Sequence, residues 1–236
     1  MPTQILTDCP VCGSSDKSLF LSCKDHFVSG ETFTISHCNA CGFCFTDPRP
    51  SPEESARYYE SDKYVSHSRT SEGLTNYLFH RARRYTLGSK KRLIRKYASG
   101  KNLLDYGCGT GAFLSVMKDA GWNTRGIEPN PIARNHAAEQ YGLEVYDETA
   151  LESIPDNTLD AITLWHVLEH IYPMKDRIHT FHKKLKKDGT LIVAVPNMNA
   201  YDAKHYGPYW AAYDVPRHIY HFTPESMVRL LTDAGF

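Results

Sequence analysis

Short apolar runs alternate with amphipathic stretches through the second half of this 236-residue chain. Asn102-Leu103-Leu104 leads into Asp105 and a glycine-rich bend, and Ala112-Phe113-Leu114-Ser115-Val116-Met117 then has helical character. Gly126-Ile127-Glu128 closes a second strand. Pro129-Asn130-Pro131 opens a helix to about Tyr141, which Gly142 ends. Leu143–Tyr146 reads as a third strand, Leu151–Ile154 as a short turn or helix, and Leu159–Trp165 as a fourth strand. A helix over Asp176–Lys187, closed by Asp188-Gly189, precedes a fifth strand over Thr190–Val195. This alternation predicts an α/β, Rossmann-like parallel sheet with helices on both faces and right-handed crossovers. A ligand then belongs past the carboxyl ends of the strands, where strand order reverses. The glycine-rich bend, Glu128, the turn Tyr146–Ala150 and Trp165–His170 all fall at those ends.

The first half has a different texture. Cys9-Pro10-Val11-Cys12-Gly13 and Cys38-Asn39-Ala40-Cys41-Gly42 are two C-x-x-C-G knuckles, and Ser18–Leu21 and Thr32–Ile35 between them read as hairpin strands. Four thiolates from two such knuckles make a closed tetrahedral zinc site whose role is structural. Cys9, Cys12, Cys38 and Cys41 are the expected ligands; Cys23 and Cys44 are spare buried thiols or substitute ligands. Redox-active cysteines are the alternative, although no thioredoxin-like pattern surrounds them. Asp47-Pro48-Arg49-Pro50-Ser51-Pro52 is a stiff linker, with a helix start at Ser51-Pro52-Glu53-Glu54. An aromatic cluster, Tyr58–Tyr64, and a long helix over about Leu74–Tyr97 follow. The expected organisation is a zinc ribbon over 1–46, a linker and helical lid over 47–100, and a ligand-binding domain over 101–236.

Charge and composition narrow the partners. Lysine plus arginine equals aspartate plus glutamate at 27 each, so no global field draws the chain to nucleic acid or to an anionic membrane. The apolar runs are too short to span a bilayer. Met1-Pro2-Thr3-Gln4 lacks the basic-then-apolar pattern of a signal peptide, so the paired cysteines point to reduced thiols and metal in the cytoplasm. The helix carries Arg81, Arg83, Arg84, Lys90, Lys91, Arg92, Arg95 and Lys96. That stripe is a solvated face, or a basic wall for an anionic, phosphorylated or carboxylated substrate.

The run Asp105-Tyr106-Gly107-Cys108-Gly109-Thr110-Gly111 carries the chemistry. Glycines at alternate positions let the backbone take unusual dihedrals and approach a ligand closely. An acid about 20 residues further on, here Glu128, is the ribose mark of a βαβ cofactor site. Read as G-x-G-x-x-A (Gly107, Gly109, Ala112), the loop also fits a dinucleotide. Two details favour S-adenosylmethionine (SAM). Asp105 before the glycines would attract an ammonium and repel a pyrophosphate, and the third glycine comes one position early, at Gly111. Leu103–Gly111 resembles the first motif of class I SAM-dependent methyltransferases. The resemblance implies cofactor contacts from Asp105, Gly107, Cys108, Gly109, Gly111 and Glu128. It also puts the segment before the first strand over the cofactor, with Tyr59 and Tyr64 as caps.

Trp165-His166-Val167-Leu168-Glu169-His170-Ile171 resembles the segment after strand four of ubiquinone-type and related small-molecule methyltransferases. That implies Trp165 and His166 at the cofactor, His166 facing the methyl group or acceptor, and Glu169 and His170 bracing the loop. Past strand five, an insert to about Tyr220 holds His205, Tyr206, Tyr209, Trp210 and Tyr213. In Asp214–Phe222, alternation sends His218 and Tyr220 to one face and Ile219 and His221 to the other if the stretch is extended. These aromatics and imidazoles make an acceptor pocket or a satellite core. The knuckle-plus-methyltransferase layout resembles sugar C-methyltransferases with a Tyr/His acid–base pair, which implies Tyr220 with His221, or alternatively His218, as catalytic residues. A helix from Thr223-Pro224 through Leu231 leads by Asp233-Ala234-Gly235-Phe236 toward a further strand. A seven-stranded sheet of this kind has two more strands, so the expectation is either a shortened piece of a longer chain or a sheet of five parallel strands whose exposed edge pairs with a partner chain or aggregates. The expected activity is methyl transfer from SAM to a small-molecule acceptor, sugar or other anionic metabolite. An RNA-modifying zinc-ribbon enzyme, a catalytically inactive SAM-binding protein and an NAD-dependent oxidoreductase are the alternatives.

Overall fold

The computed structural model describes residues 3–59 and 74–236. Tyr64 lies outside them. The strands are β1 (Thr3–Gln4), β2 (Lys17–Lys24), β3 (Thr32–Cys38), β4 (Cys44–Thr46), β5 (Arg49–Pro50), β6 (Asn102–Tyr106), β7 (Asn123–Ile127), β8 (Val145–Tyr146), β9 (Leu159–Trp165), β10 (Leu185–Ala194) and β11 (Tyr220–His221). Contacts gather the chain into two compact units that interleave in sequence. One comprises Met1–Thr70, Leu168–His179 and Val195–Phe236; the other comprises Ser71–Val167 and Thr180–Ala194.

The second unit is built on a five-stranded sheet in the order β10-β9-β6-β7-β8, parallel throughout. The chain leaves β6 toward β7 and β8 on one side, then returns to build β9 and β10 on the other. Strand order therefore reverses between β6 and β9, which is where this architecture opens a crevice. Leu103, Phe113, Leu114, Met117, Trp122, Ala137, Leu143 and Ala161 form a core, with Ile94 of the helix Leu74–Tyr97 packed among them. Each large apolar side chain closed off there contributes about 1.5–3 kcal/mol. The helix Pro131–Tyr141 starts on the Asn130 side chain and ends at Gly142 with φ 56°, as its sequence predicts.

One boundary differs from the reading of the sequence. The helix expected over Asp176–Lys187 spans Met174–Lys184, and β10 begins at Leu185 with an irregular register before Thr190. Asn157 and Thr158 donate to the carbonyls of Lys183 and Lys184 at 2.9 and 3.1 Å. The Lys184 ammonium reaches Asp156 at 2.8 Å. Those bonds draw the last helical turn into the sheet before the Asp188-Gly189 stop signal is reached.

The first unit contains a four-stranded antiparallel sheet in the order β11-β4-β3-β2, and a two-stranded pair of β1 with β5. The expected hairpin is β2–β3. No pattern in the sequence indicates the partner of β11, in which Tyr220 pairs with Phe45 and His221 with Cys44. The predicted alternation through Asp214–Phe222 does not hold. Only Tyr220–His221 is strand, and Ile219, Tyr220, His221 and Phe222 are all buried. Both faces are covered there, so polarity no longer reports which way a side chain points. Beneath this sheet Cys23, Phe33, Ile35, Cys44, Tyr58, Met198, Tyr213 and Val215 form a core. At its margin the Arg217 guanidinium, itself buried, bonds Asp25 at 3.1 Å, the Tyr58 carbonyl at 3.0 Å, and Asp214.

Candidate functional site

The glycine-rich bend lies at the carboxyl end of β6, beside the point of strand reversal. Gly107, Gly109 and Gly111 have φ of 74°, 54° and 79°, so all three need the left-handed region. Their surroundings differ. A Cβ on Gly107 would lie 2.4 Å from the Val167 side chain, and one on Gly111 would lie 2.6 Å from Leu143 and 2.8 Å from Ala137. These two glycines let the bend close onto its neighbours. A Cβ on Gly109 meets nothing within 4 Å, so this glycine bares backbone toward open space. Gly107 and Cys108 donate to the Ile127 carbonyl at 2.7 and 3.1 Å, which ties the bend to the end of β7.

Glu128 follows β7 directly. Its carboxylate accepts the Gly109 N–H at 2.9 Å and the Asn130 N–H at 3.0 Å. Asp105 is buried at the end of β6, where the Thr163 hydroxyl of β9 donates to it. Burial, with the nearby Glu128 charge adding to it, pushes its carboxyl up to about 7 against the opposing pull of Thr163 and Lys90. Lys90 has its ammonium 4.3 Å from the centre of the Trp165 ring, and burial lowers its pKa. Trp165 packs edge-on against Phe113, and its indole N–H is buried without an acceptor among the described residues. His166 is exposed, with φ 59°, and its N–H donates to the Ala194 carbonyl at 2.8 Å. A β-carbon-bearing residue in that region is held there by its surroundings. The Cys108 thiol is driven up chiefly by burial, and a Cβ on Gly126 would lie 2.7 Å from its sulfur; it packs between the two strands.

The structure thus brings Asp105, Gly107, Cys108, Gly109, Gly111, Glu128, Trp165 and His166 together in one unit. Sequence reasoning did not single out Thr163 and Val167, and it read Lys90 only as part of a basic stripe. Tyr59, His218, Tyr220 and His221 belong to the other unit. The Tyr59 hydroxyl lies 2.9 Å from His170 Nδ1. Tyr220 packs on Phe43 and Phe222. His221 Nε2 lies 3.0 Å from the Thr46 hydroxyl, and burial, with His218 nearby, depresses its pKa to about 3. Both are enclosed within the ribbon sheet. His218 is half-buried and in contact with His170, ring centres 4.7 Å apart.

The knuckles converge in the first unit. Cys9 and Cys38 each donate their N–H to a carbonyl five residues on, Ser14 and Phe43, at 2.8 and 2.9 Å. Gly13 and Gly42, with φ of 75° and 76°, donate back to the Cys9 and Cys38 carbonyls. This repeated geometry brings Cys9 and Cys41 sulfurs to 3.6 Å and Cys12 and Cys38 sulfurs to 3.5 Å, all four within 4.8 Å. Tetrahedral zinc with bonds of about 2.3 Å places its sulfurs about 3.8 Å apart. Burial opposes ionisation of Cys12, yet the Ser14 N–H and the neighbouring thiols bring it down to about 7. Cys23 and Cys44 stay outside the cluster, their thiols pushed up to about 12 chiefly by burial.

A family model for a methyltransferase domain matches residues 78–236. The ubiquinone biosynthesis O-methyltransferase of Actinobacillus pleuropneumoniae serotype 7 is 36% identical over 110 residues, covering 42% of this chain and 47% of the relative. The mitochondrial enzyme of that name from Schizosaccharomyces pombe is 29% identical over 108 residues, covering 42% of this chain and 39% of the relative. The chain thus spans about half the length, or less, of these relatives. Among solved structures, a SAM-dependent methyltransferase from Archaeoglobus fulgidus superposes with a TM-score of 0.55 at 23% identity, covering 68% of this chain and 74% of that one. Another from Methanosarcina mazei gives 0.52 at 20% identity, covering 60% and 82%. The chain belongs to the methyltransferase-domain family, and its five-stranded parallel sheet has the Rossmann-like fold of the class I SAM-dependent methyltransferases. Among the described residues no helix is long and apolar enough to cross a membrane.

Proposed function

We propose that this chain is a SAM-dependent methyltransferase that alkylates an oxygen of a small-molecule acceptor, and that Cys9, Cys12, Cys38 and Cys41 hold a structural zinc ion. The observation that carries the first reading is the bond from Gly109 N–H to Glu128, between the ends of β6 and β7. It joins Glu128 to the backbone bared at Gly109, inside the segment the family model covers, which supports reading Glu128 as the ribose acid. The residues present fit the cofactor: open space over Gly109, a carboxylate at the tip of β7, and a buried indole N–H awaiting an acceptor. SAM, when bound, supplies a methyl group made electrophilic by its sulfonium. Glu128 would accept from the ribose hydroxyls, and Asp105 would face the ammonium group. His166, exposed beyond β9, is the candidate base in this unit; such a group contributes about 10²–10⁴-fold.

An oxygen acceptor follows the two relatives named above. The exposed cations Arg83, Arg84, Arg92, Arg95 and Lys96 support an anionic one, phosphorylated or carboxylated. The knuckle geometry supports zinc, and with every coordination position filled by sulfur such a site is structural. The deciding experiment pairs calorimetry of SAM and S-adenosylhomocysteine with radiolabelled methyl transfer to phenols, sugars and their phosphorylated or carboxylated derivatives. Binding with transfer to an acceptor oxygen is expected. Absence of binding to either ligand overturns the reading.

A further inference from the structure

A second group of side chains of a metal-ligating type lies far along the chain from the cysteine knuckles. Glu169 and His170 stand on the 3-10 turn Leu168–His170, and His218 follows Arg217 in the segment leading into β11. One donor atom from each lies within 4.8 Å of the others. Two hydrogen bonds fasten the segments together: Ile219 N–H to the Glu169 carbonyl at 2.9 Å, and His170 Nδ1 to the Arg217 carbonyl at 2.9 Å.

The hydrogen bonds fix which nitrogen each imidazole offers. His170 Nδ1 faces a carbonyl, and so does His218 Nδ1, 2.8 Å from that of Ala212. A carbonyl oxygen can only accept, so His218 carries its proton on Nδ1 and offers Nε2; His170 does the same with its Nδ1–H shared between the Arg217 carbonyl and the Tyr59 hydroxyl oxygen, each 2.9 Å away. A backbone carbonyl holding the outer N–H is the usual support of a metal-bound histidine. His218 Nε2 lies 4.0 Å from Glu169 Oε1 and 3.9 Å from Asp214 Oδ2. The Glu169 carboxylate is almost wholly buried and the His218 ring is 12% exposed.

We infer that Glu169, His170 and His218 bind a divalent first-row transition cation, as two histidines and one carboxylate with open positions for water or an oxygen-bearing ligand. Two-histidine, one-carboxylate sets of this kind suit iron(II) and manganese(II). Donors on adjacent positions of such an ion stand about 3 Å apart for bonds near 2.1 Å, so the side chains need only a modest closure. The site lies within one unit and does not depend on the proposed methyl transfer.

Manganese(II) is the discriminating probe, because it avoids the thiolate knuckles that take zinc. In the full chain, the paramagnetic resonance signal of free Mn²⁺ should fall with a stoichiometry of one ion per chain. Pulsed measurements should show nitrogen coupling from two imidazoles. His218→Asn keeps a donor for the Ala212 carbonyl and removes Nε2; Glu169→Gln removes the charge. Each should weaken Mn²⁺ by at least about tenfold. An undiminished free-ion signal with the unmodified chain, bound Mn²⁺ without nitrogen coupling, or folded variants that titrate like the parent would overturn the inference.

Discussion

The Glu128 carboxylate holds the Gly109 N–H at 2.9 Å, across the gap between the ends of β7 and β6. Its other oxygen takes the Asn130 N–H at the start of the next helix. One side chain therefore shapes the bend before any ligand arrives, and the ribose of the proposed cofactor would share it. Glu128→Ala should weaken SAM by tenfold or more, the scale of a lost charge-assisted hydrogen bond of about 1.5–3 kcal/mol. Calorimetry giving the same dissociation constant would remove Glu128 from the cofactor site.

The three glycines of the bend should separate by experiment. Gly109→Ala adds a methyl group to open space, so its stability loss should stay near the cost of a left-handed alanine, about 1–2 kcal/mol, while SAM affinity falls. Gly107→Ala drives the same atom to 2.4 Å from Val167 and should destabilise further, by about 1–3 kcal/mol of overpacking. Val167→Ala in that background should restore part of the loss. Equal melting temperatures for the two glycine variants would contradict this division of roles.

Asp105 predicts a pH dependence. An unfolded aspartate ionises near about 3.9, whereas the buried group holds its proton to about 7. Between those values the native chain carries the extra proton, so this residue makes stability decline as pH rises. An ammonium group beside it favours the ionised form, so SAM binding should tighten as pH rises through 7 and release a proton. Asp105→Asn should flatten that slope. Calorimetry in two buffers of different ionisation enthalpy reads the proton release; an identical slope in the variant would sink the prediction.

Arg217 and Asp25 form a buried pair, with side chains 1% and 0% exposed. Burial opposes ionisation of Asp25, but the Ser29 and Phe27 N–H groups and Arg217 bring its pKa down to about 2. Its contribution is therefore complete above the ordinary aspartate range and is lost as pH falls from about 4 toward 2. Arg217→Met should cost about 3–5 kcal/mol by leaving the carboxylate unpaired, and Asp25→Asn in that background should recover much of it. Denaturant titration of the single and double variants measures the coupling.

The knuckles should carry folding free energy. Cys38→Ser, or a strong chelator, should lower the melting temperature and loosen amide-exchange protection in β3, which ends at Cys38. Metal analysis should show one zinc ion fewer per chain. Unchanged protection with the zinc removed would make the ion dispensable.

Much of the parallel sheet was legible because its signals are local. β6 and β9 are built on short apolar runs, and the helix Pro131–Tyr141 has its own caps at Asn130 and Gly142. The glycine bend and Glu128 could be paired because a βαβ unit fixes their separation. The end of the Met174–Lys184 helix was not legible, since bonds from Asn157 and Thr158 decide it. The expectation of Tyr220 and His221 as catalytic groups came from a resemblance to sugar C-methyltransferases, and both side chains are buried in the ribbon sheet. The approach of His170 to His218 depends on a turn and a late segment 48 residues apart in number, and no period in the sequence records it.

The pairing of β11 with β4 has a consequence for biosynthesis. As the polypeptide leaves the ribosome, the knuckles and the β2–β3 hairpin emerge early and can close by themselves. Cys44–Thr46 must then wait, one margin unpaired, until Tyr220 has been translated. Such a late, long-range contact slows maturation and exposes a sticky border meanwhile. A nascent chain halted before Tyr220 should therefore be a target for chaperones, even with its thiolates already metallated.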